Sequence, residues 1–276
     1  MDIDRVNQDI KAFEILIEDK ICGEFTGELF TGVDLGTAYI VLSVVDKNGK
    51  AIAGAKKRAS VVKDGVVVDY IGAIKIVREL KRELEEIIGI KLLKAATAIP
   101  PGVSEGSVKA IVNVVEACEF EVVNVVDEPT AAAKVLCVKD GAVVDVGGGT
   151  TGISVIESGN VTFTADEATG GHHMNLVLAG RYNLNYEEAE ILKHTKDREW
   201  DVFPVIAPVV EKMASIVNRF IYGKEVSTIY IVGGAATFVE FEKVFTQKTG
   251  LMVIKPYNPM LVTPLGIALS CLSEVK

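Results

Sequence analysis

Two aspartates, Asp34 and Asp145, stand in matching surroundings far apart in the chain. Asp145 interrupts the β-branched run of Val143, Val144 and Val146 and is followed by Gly147, Gly148, Gly149, Thr150 and Thr151. An ionised carboxylate inside a buried strand is costly unless a cation or a donor accompanies it. Glycines let the backbone turn and leave no Cβ in a ligand's way, and successive N–H groups in such a turn form an anion-binding concavity. Taken alone, the stretch fits a phosphate-sized cradle beside a carboxylate, and it fits a tight glycine hairpin between two strands. Thr31–Thr37, TGVDLGT, repeats the pattern with Asp34, Gly36 and Thr37, and an apolar strand again leaves the turn. The pair suits a metal–polyphosphate group. Its carboxylates, Asp34 and Asp145, would hold hydrated Mg²⁺ mainly through water, and its turns would take phosphate oxygens.

A third acidic position closes the next strand upstream, in Asp127-Glu128-Pro129-Thr130. Proline opening a helix after a strand is a common site location in α/β folds. Asp127 reads as favouring the helix N-terminus electrostatically, and Glu128 as catalytic. Gly170-Gly171 precedes a helix, and Gly233-Gly234-Ala235-Ala236 follows a strand. The second group lets a flat ligand approach the backbone, although a plain strand–helix turn reads the same way. His172 and His173 lack partners at metal-ligand spacing and read as a site-lining or solvated pair.

The elements that must position these groups alternate in type. Periodicity predicts strands over 30–35, 38–46, 50–57, 94–99, 121–126, 152–157, 161–166, 228–232 and 251–254. It predicts helices over 4–21, 70–88, 105–118, 174–182, 186–194, 200–222 and 238–249, with a last one opening at Pro264-Leu265-Gly266. Asn48-Gly49 and Asp64-Gly65 mark turns. In helix 70–88, Ile74, Val77, Leu80, Leu84, Ile87 and Ile88 form the core stripe, with Lys81, Arg82, Glu85 and Glu86 on the solvated face. The first helix is amphipathic and either packs on its own domain or docks to a partner. The whole is an α/β chain read as an extension (1–29), a first half (30–140) and a second half (141–276).

Composition narrows the function. The 276 residues are 49% hydrophobic, with a net charge of −9, which argues against general nucleic-acid binding. No stretch reaches the ~20 apolar residues of a membrane span, and the acidic N-terminus is unlike a secretory signal, so cytoplasmic location is expected. The four cysteines form no CxxC, so neither a disulfide framework nor a zinc site is expected. Cys118 and Cys137 read as buried thiols.

These residues resemble the actin-like ATPase superfamily, whose members include sugar kinases, actin, MreB, FtsA and DnaK-type chaperones. Thr31–Thr37 resembles its first phosphate motif, Val125–Ala133 its first connecting helix and Val143–Thr151 its second phosphate motif. Ile229–Ala236 resembles its adenosine motif and Pro264–Ala268 its second connecting helix. The resemblance implies an actin-like (ribonuclease H-like) fold, with two similar lobes around a nucleotide cleft and ATP with Mg²⁺ as cofactors. It implies that Asp34 and Asp145 hold hydrated Mg²⁺ and that Glu128 orients an attacking water. Gly36, Thr37, Gly147, Gly148, Gly149 and Thr150 would contact phosphates, with Gly170 and Gly171 also binding the cofactor. Gly233, Gly234 and Ala235 would lie against the adenosine. The string 127–133 with Asp145–Thr150 is closest to the chaperone branch. Val67–Tyr70, Gly170–Asn175 and the N-terminal helix resemble a branch serving ethanolamine utilisation. Departures are the missing DnaK-type peptide-binding domain, the absent catalytic-lysine insert between Gly54 and Tyr70, Asn175 in place of an acid and Thr237 in place of a base. The resemblance implies an ATP-binding, slowly hydrolysing chaperone-like protein. Its partner would be a client of the ethanolamine pathway or its microcompartment. A nucleotide-dependent filament or scaffold of MreB or FtsA type, with self-association, is the alternative, as is a reactivating factor for a radical enzyme. The small first half disfavours a small-molecule kinase.

Overall fold

The computed structural model describes residues 2–274. Helix α1 (Ile3–Glu18) is capped by Asp2, which accepts the Arg5 amide, and it buries Val6, Ile10, Phe13 and Ile17. Strands β1 (Leu29–Leu35), β2 (Tyr39–Asp46) and β3 (Ala51–Arg58) follow as an antiparallel meander. A short hairpin, β4 (Val62–Lys63) and β5 (Val66–Val67), leads into α2 (Tyr70–Ile88). Asp69 caps α2 at its start, and Gly89, in the left-handed region, ends it. β6 (Lys94–Ile99), α3 (Glu105–Glu116) and β7 (Glu121–Asp127) complete a sheet of order β3-β2-β1-β6-β7, with β6 parallel to both β1 and β7.

The second half repeats this plan. After α4 (Glu128–Leu136) come β8 (Gly141–Val146), β9 (Thr151–Glu157) and β10 (Asn160–Glu167) as a second antiparallel meander. Helices α5 (Gly171–Tyr182), α6 (Tyr186–Lys193) and α7 (Glu199–Ile221) precede β11 (Thr228–Val232), α8 (Phe241–Thr249) and β12 (Met252–Ile254). The order β10-β9-β8-β11-β12 is that of the first sheet, with β8, β11 and β12 parallel. The last helix is α9 (Val262–Ser270).

Two helices are exchanged between the halves. α4, which leaves the first sheet, packs on β8 and β9, whereas α9, which leaves the second, packs on β1 and β2. They cross at Gly266, where a Cβ would stand 2.0 Å from the Ala131 carbonyl oxygen. Ala131, Ala132, Leu265 and Ala268 join Phe30 and Val143 in one core there. α1 packs on β3, the domain-packing reading of its apolar stripe. It also accepts hydrogen bonds from the second half, Tyr257 N–H to Asn7 and Asn258 Nδ2 to Glu14, at 2.8 and 2.7 Å.

Three local expectations change. Lys81 and Glu85 are not on a solvated face: the Lys81 ammonium donates to the Cys118 and Glu119 carbonyls, both at 2.9 Å, and both side chains are largely covered. Cys137 is exposed, because it is the left-handed C-cap of α4. α8 starts at Phe241 rather than Phe238, since Gly234–Ala236 forms a separate 3-10 turn.

Candidate functional site

The site is built where corresponding strands of the two sheets end. Asp34 lies in the last turn of β1 and Asp145 near the end of β8, and both line one cleft. Glu128, the first residue of α4, faces the same hollow, and Asp127 behind it caps the helix by accepting the Thr130 amide at 3.0 Å. Gly36 and Thr37 form one wall, Gly147, Gly148, Gly149 and Thr150 the other, and Gly233 and Gly234 close one side. At Gly233, with φ of +95°, a Cβ would lie 2.4 Å from Asp145 Oδ1, so only glycine permits this turn beside the carboxylate.

Gly170, Gly171 and Ala235 do not line the cleft; they stand behind it. The Gly171 and His172 amides donate to the Gly147 and Gly148 carbonyls at 3.0 and 2.7 Å, so the start of α5 braces the glycine turn from outside. Two residues missed in the sequence belong to the site. Thr263, in the first turn of α9, donates from Oγ1 to Asp145 Oδ2 at 2.5 Å. Asp166, on β10, hydrogen-bonds Thr150. Asp166 ends a strand in the sequence, but its glycines, Gly170 and Gly171, follow four residues on, whereas Gly36 and Gly147 follow Asp34 and Asp145 two residues on.

The electrostatics are those of acids crowded together. Burial, and then the charge of Asp145, pushes Asp34 up to about 7. Burial raises Asp145 to about 6 against the Thr263 hydrogen bond, and raises Asp166 to about 7. Glu128 lies well above the usual carboxylate range, through burial and then the charges of Asp145 and Asp34. A cation would relieve this repulsion, and Asp166 Oδ1 is buried without a hydrogen-bond partner. Among the described residues no three acidic, histidine or cysteine side chains converge as direct metal ligands. The residues therefore fit a cation held partly by water and by phosphate oxygens, and the glycine walls fit a phosphate chain.

The space along the cleft is about 100 Å³, below the ~300–1,000 Å³ usual for a ligand pocket. A second hollow of about 330 Å³ adjoins it across Thr37, Ala38 and Gly148, bordered by Arg58, Lys63, His172 and Tyr186. Glu190, at its edge, would be raised by burial, but hydrogen bonds from His194 and Lys193 and the Lys193 charge hold it below the usual range. Asn175 also donates to Glu190. The polar residue where an acid was expected thus serves as a donor to one.

Two five-stranded sheets of one topology, exchanged helices and carboxylate–glycine turns facing each other define an actin-like ATPase fold. Residues 103–267 match the profile of a family described as type IV pilus assembly protein PilM. The chain is 43% identical over 241 residues to ethanolamine utilization protein EutJ of Salmonella typhimurium, covering 87% of this chain and 85% of that one. It superposes with a TM-score of 0.92 on a crystal structure of EutJ from Carboxydothermus hydrogenoformans, at 49% identity, covering 98% and 99% of the two chains. MreB5 of Spiroplasma citri bound to ADP shares the fold, with a TM-score of 0.70 at 17% identity over 87% of this chain and 94% of that one. The chain belongs to this PilM-type actin-like family and, within it, to the ethanolamine utilization proteins EutJ.

Proposed function

We propose that the chain binds ATP with Mg²⁺ between its halves, hydrolyses it slowly and acts as a chaperone-like protein of ethanolamine utilisation. Residues 30–140 and 141–276 would be the two lobes and 1–29 an extension. The observation that carries this reading is the convergence of Asp34, Glu128 and Asp145 with paired glycine turns in one cleft. Asp34 and Asp145 would hold the hydrated cation, and bound Mg²⁺ supplies charge neutralisation at the phosphate oxygens. The backbone N–H groups of 36–37 and 147–150 would hold the phosphates, and Thr263 fixes the Asp145 carboxylate from α9. Glu128 would orient the attacking water, so the residues contribute position and charge rather than covalent chemistry. Gly233 and Gly234 would take the adenosine, with Ala235 and Gly170-Gly171 supporting the turns behind.

Opening and closing of the cleft would change the surface offered to a client of the ethanolamine pathway or its microcompartment, in the cytoplasm. No helix among the described residues is long and apolar enough to cross a membrane. The test is calorimetry of ATP with and without Mg²⁺, then phosphate release, then capture of ethanolamine-pathway enzymes with and without ATP. Absence of nucleotide binding would end the reading. A second reading, a nucleotide-dependent scaffold, draws support from the pilus-assembly family match over 103–267. Sedimentation of the chain only when nucleotide is present would favour it.

A further inference from the structure

The hairpin β4–β5 borders the cleft through Val62 and Gly65, and its acid Asp64, which the reading above leaves without a role, lines the adjoining hollow. Its central residues Asp64 and Gly65 both have positive φ, 49° and 75°, as a type I′ turn requires. The tip is held from behind, for a Cβ on Gly65 would stand 2.8 Å from Pro100 Cγ. In front it meets the second phosphate turn. A Cβ on Gly149 would lie 2.2 Å from Asp64 Oδ1 and 3.1 Å from Thr37 Oγ1. A carboxylate therefore rests on a glycine of the very turn that would receive phosphate oxygens. Among the described residues no ion pair neutralises it. Its charge acts on Asp166, the partner of Thr150, and on His172.

We propose that Asp64 determines specificity in the nucleotide cleft. Its carboxylate stands against the turn that would hold the terminal phosphate, so a nucleoside diphosphate binds more readily than a metal-free triphosphate. This rests on the nucleotide reading given above. A divalent cation offsets the repulsion, so the discrimination is steepest without metal. Asparagine adopts the same turn conformation as aspartate, and Asp64→Asn removes the charge while keeping the hairpin.

The test is calorimetric titration of the wild-type and Asp64→Asn chains with ADP and with ATP, each in EDTA and in Mg²⁺. In EDTA the ratio of the ATP to the ADP dissociation constant falls about tenfold in the variant, the scale of one partly screened like-charge contact. In Mg²⁺ the change is smaller. An unchanged ratio in EDTA overturns the proposal and leaves the nucleotide reading standing. Binding of neither nucleotide by either chain overturns that reading and the proposal with it.

Discussion

At the scale of single residues, the site is a set of acids whose charges are held back by burial first and by one another second. Among the described residues the Thr263 hydroxyl is the one side-chain donor to Asp145, so Asp145→Asn weakens Mg²⁺-dependent ATP affinity by roughly tenfold or more. Equal affinity of variant and wild type in Mg²⁺ would remove Asp145 from the metal site. Glu128→Ala slows turnover at least about a hundredfold while changing affinity little, the size expected for loss of a positioned proton acceptor. Single-turnover phosphate release separates the two. The acids also set a pH dependence. Asp34, Asp145 and Asp166, at about 7, 6 and 7, all lie above the unfolded value of about 3.9. Groups raised on folding stabilise the fold most below the unfolded value and lose that contribution as pH rises through the folded one. The metal-free thermal midpoint should therefore fall between pH 5 and pH 8, and the stabilisation by Mg²⁺ with nucleotide should grow over the same range. A midpoint that rises instead would show that these carboxylates are not uncharged in the cleft.

At the scale of elements, the crossing of α4 and α9 joins the site to the frame. Gly266 touches the Ala131 carbonyl, so Gly266→Ala forces two helices apart at their closest approach. Overpacking of this kind costs about 1–3 kcal/mol, and more where backbone must move. A drop in the denaturation midpoint, together with weaker ATP binding through displaced Thr263 and the Asp145 carboxylate it fixes, is the expected outcome. Melting curves and calorimetry on one sample would show both. Most elements were legible in the sequence, because apolar periodicity is a local signal. Asp34, Glu128 and Asp145 were legible for the same reason, each being marked by the turn or proline that follows it. Thr263 and Asp166 were not, since their meaning comes from a partner far along the chain. Lys81 misled because its burial depends on two carbonyls at the end of α3, which periodicity within α2 does not see.

At the scale of the whole molecule, two similar halves were implied by two strand–Asp–Gly–Thr units, yet the order of the strands and the way the halves meet were not. Contact between Thr37 and the second glycine turn is a matter of lobe angle, which no local pattern encodes. With about 100 Å³ in the cleft, the proposed nucleotide binding would part the lobes. Protease digestion with and without Mg²⁺ and ATP should differ in the segments that border the cleft and the adjoining hollow, near 58–64 and His172. The exchange of α4 and α9 has its own consequence for the polypeptide as an object that can be cut. Each sheet is finished by a helix encoded in the opposite half of the chain, so a nick between 137 and 140 would leave two pieces that each lack a wall. Neither piece should stay in solution by itself, whereas co-expression of both should restore a folded, nucleotide-binding pair without any covalent join.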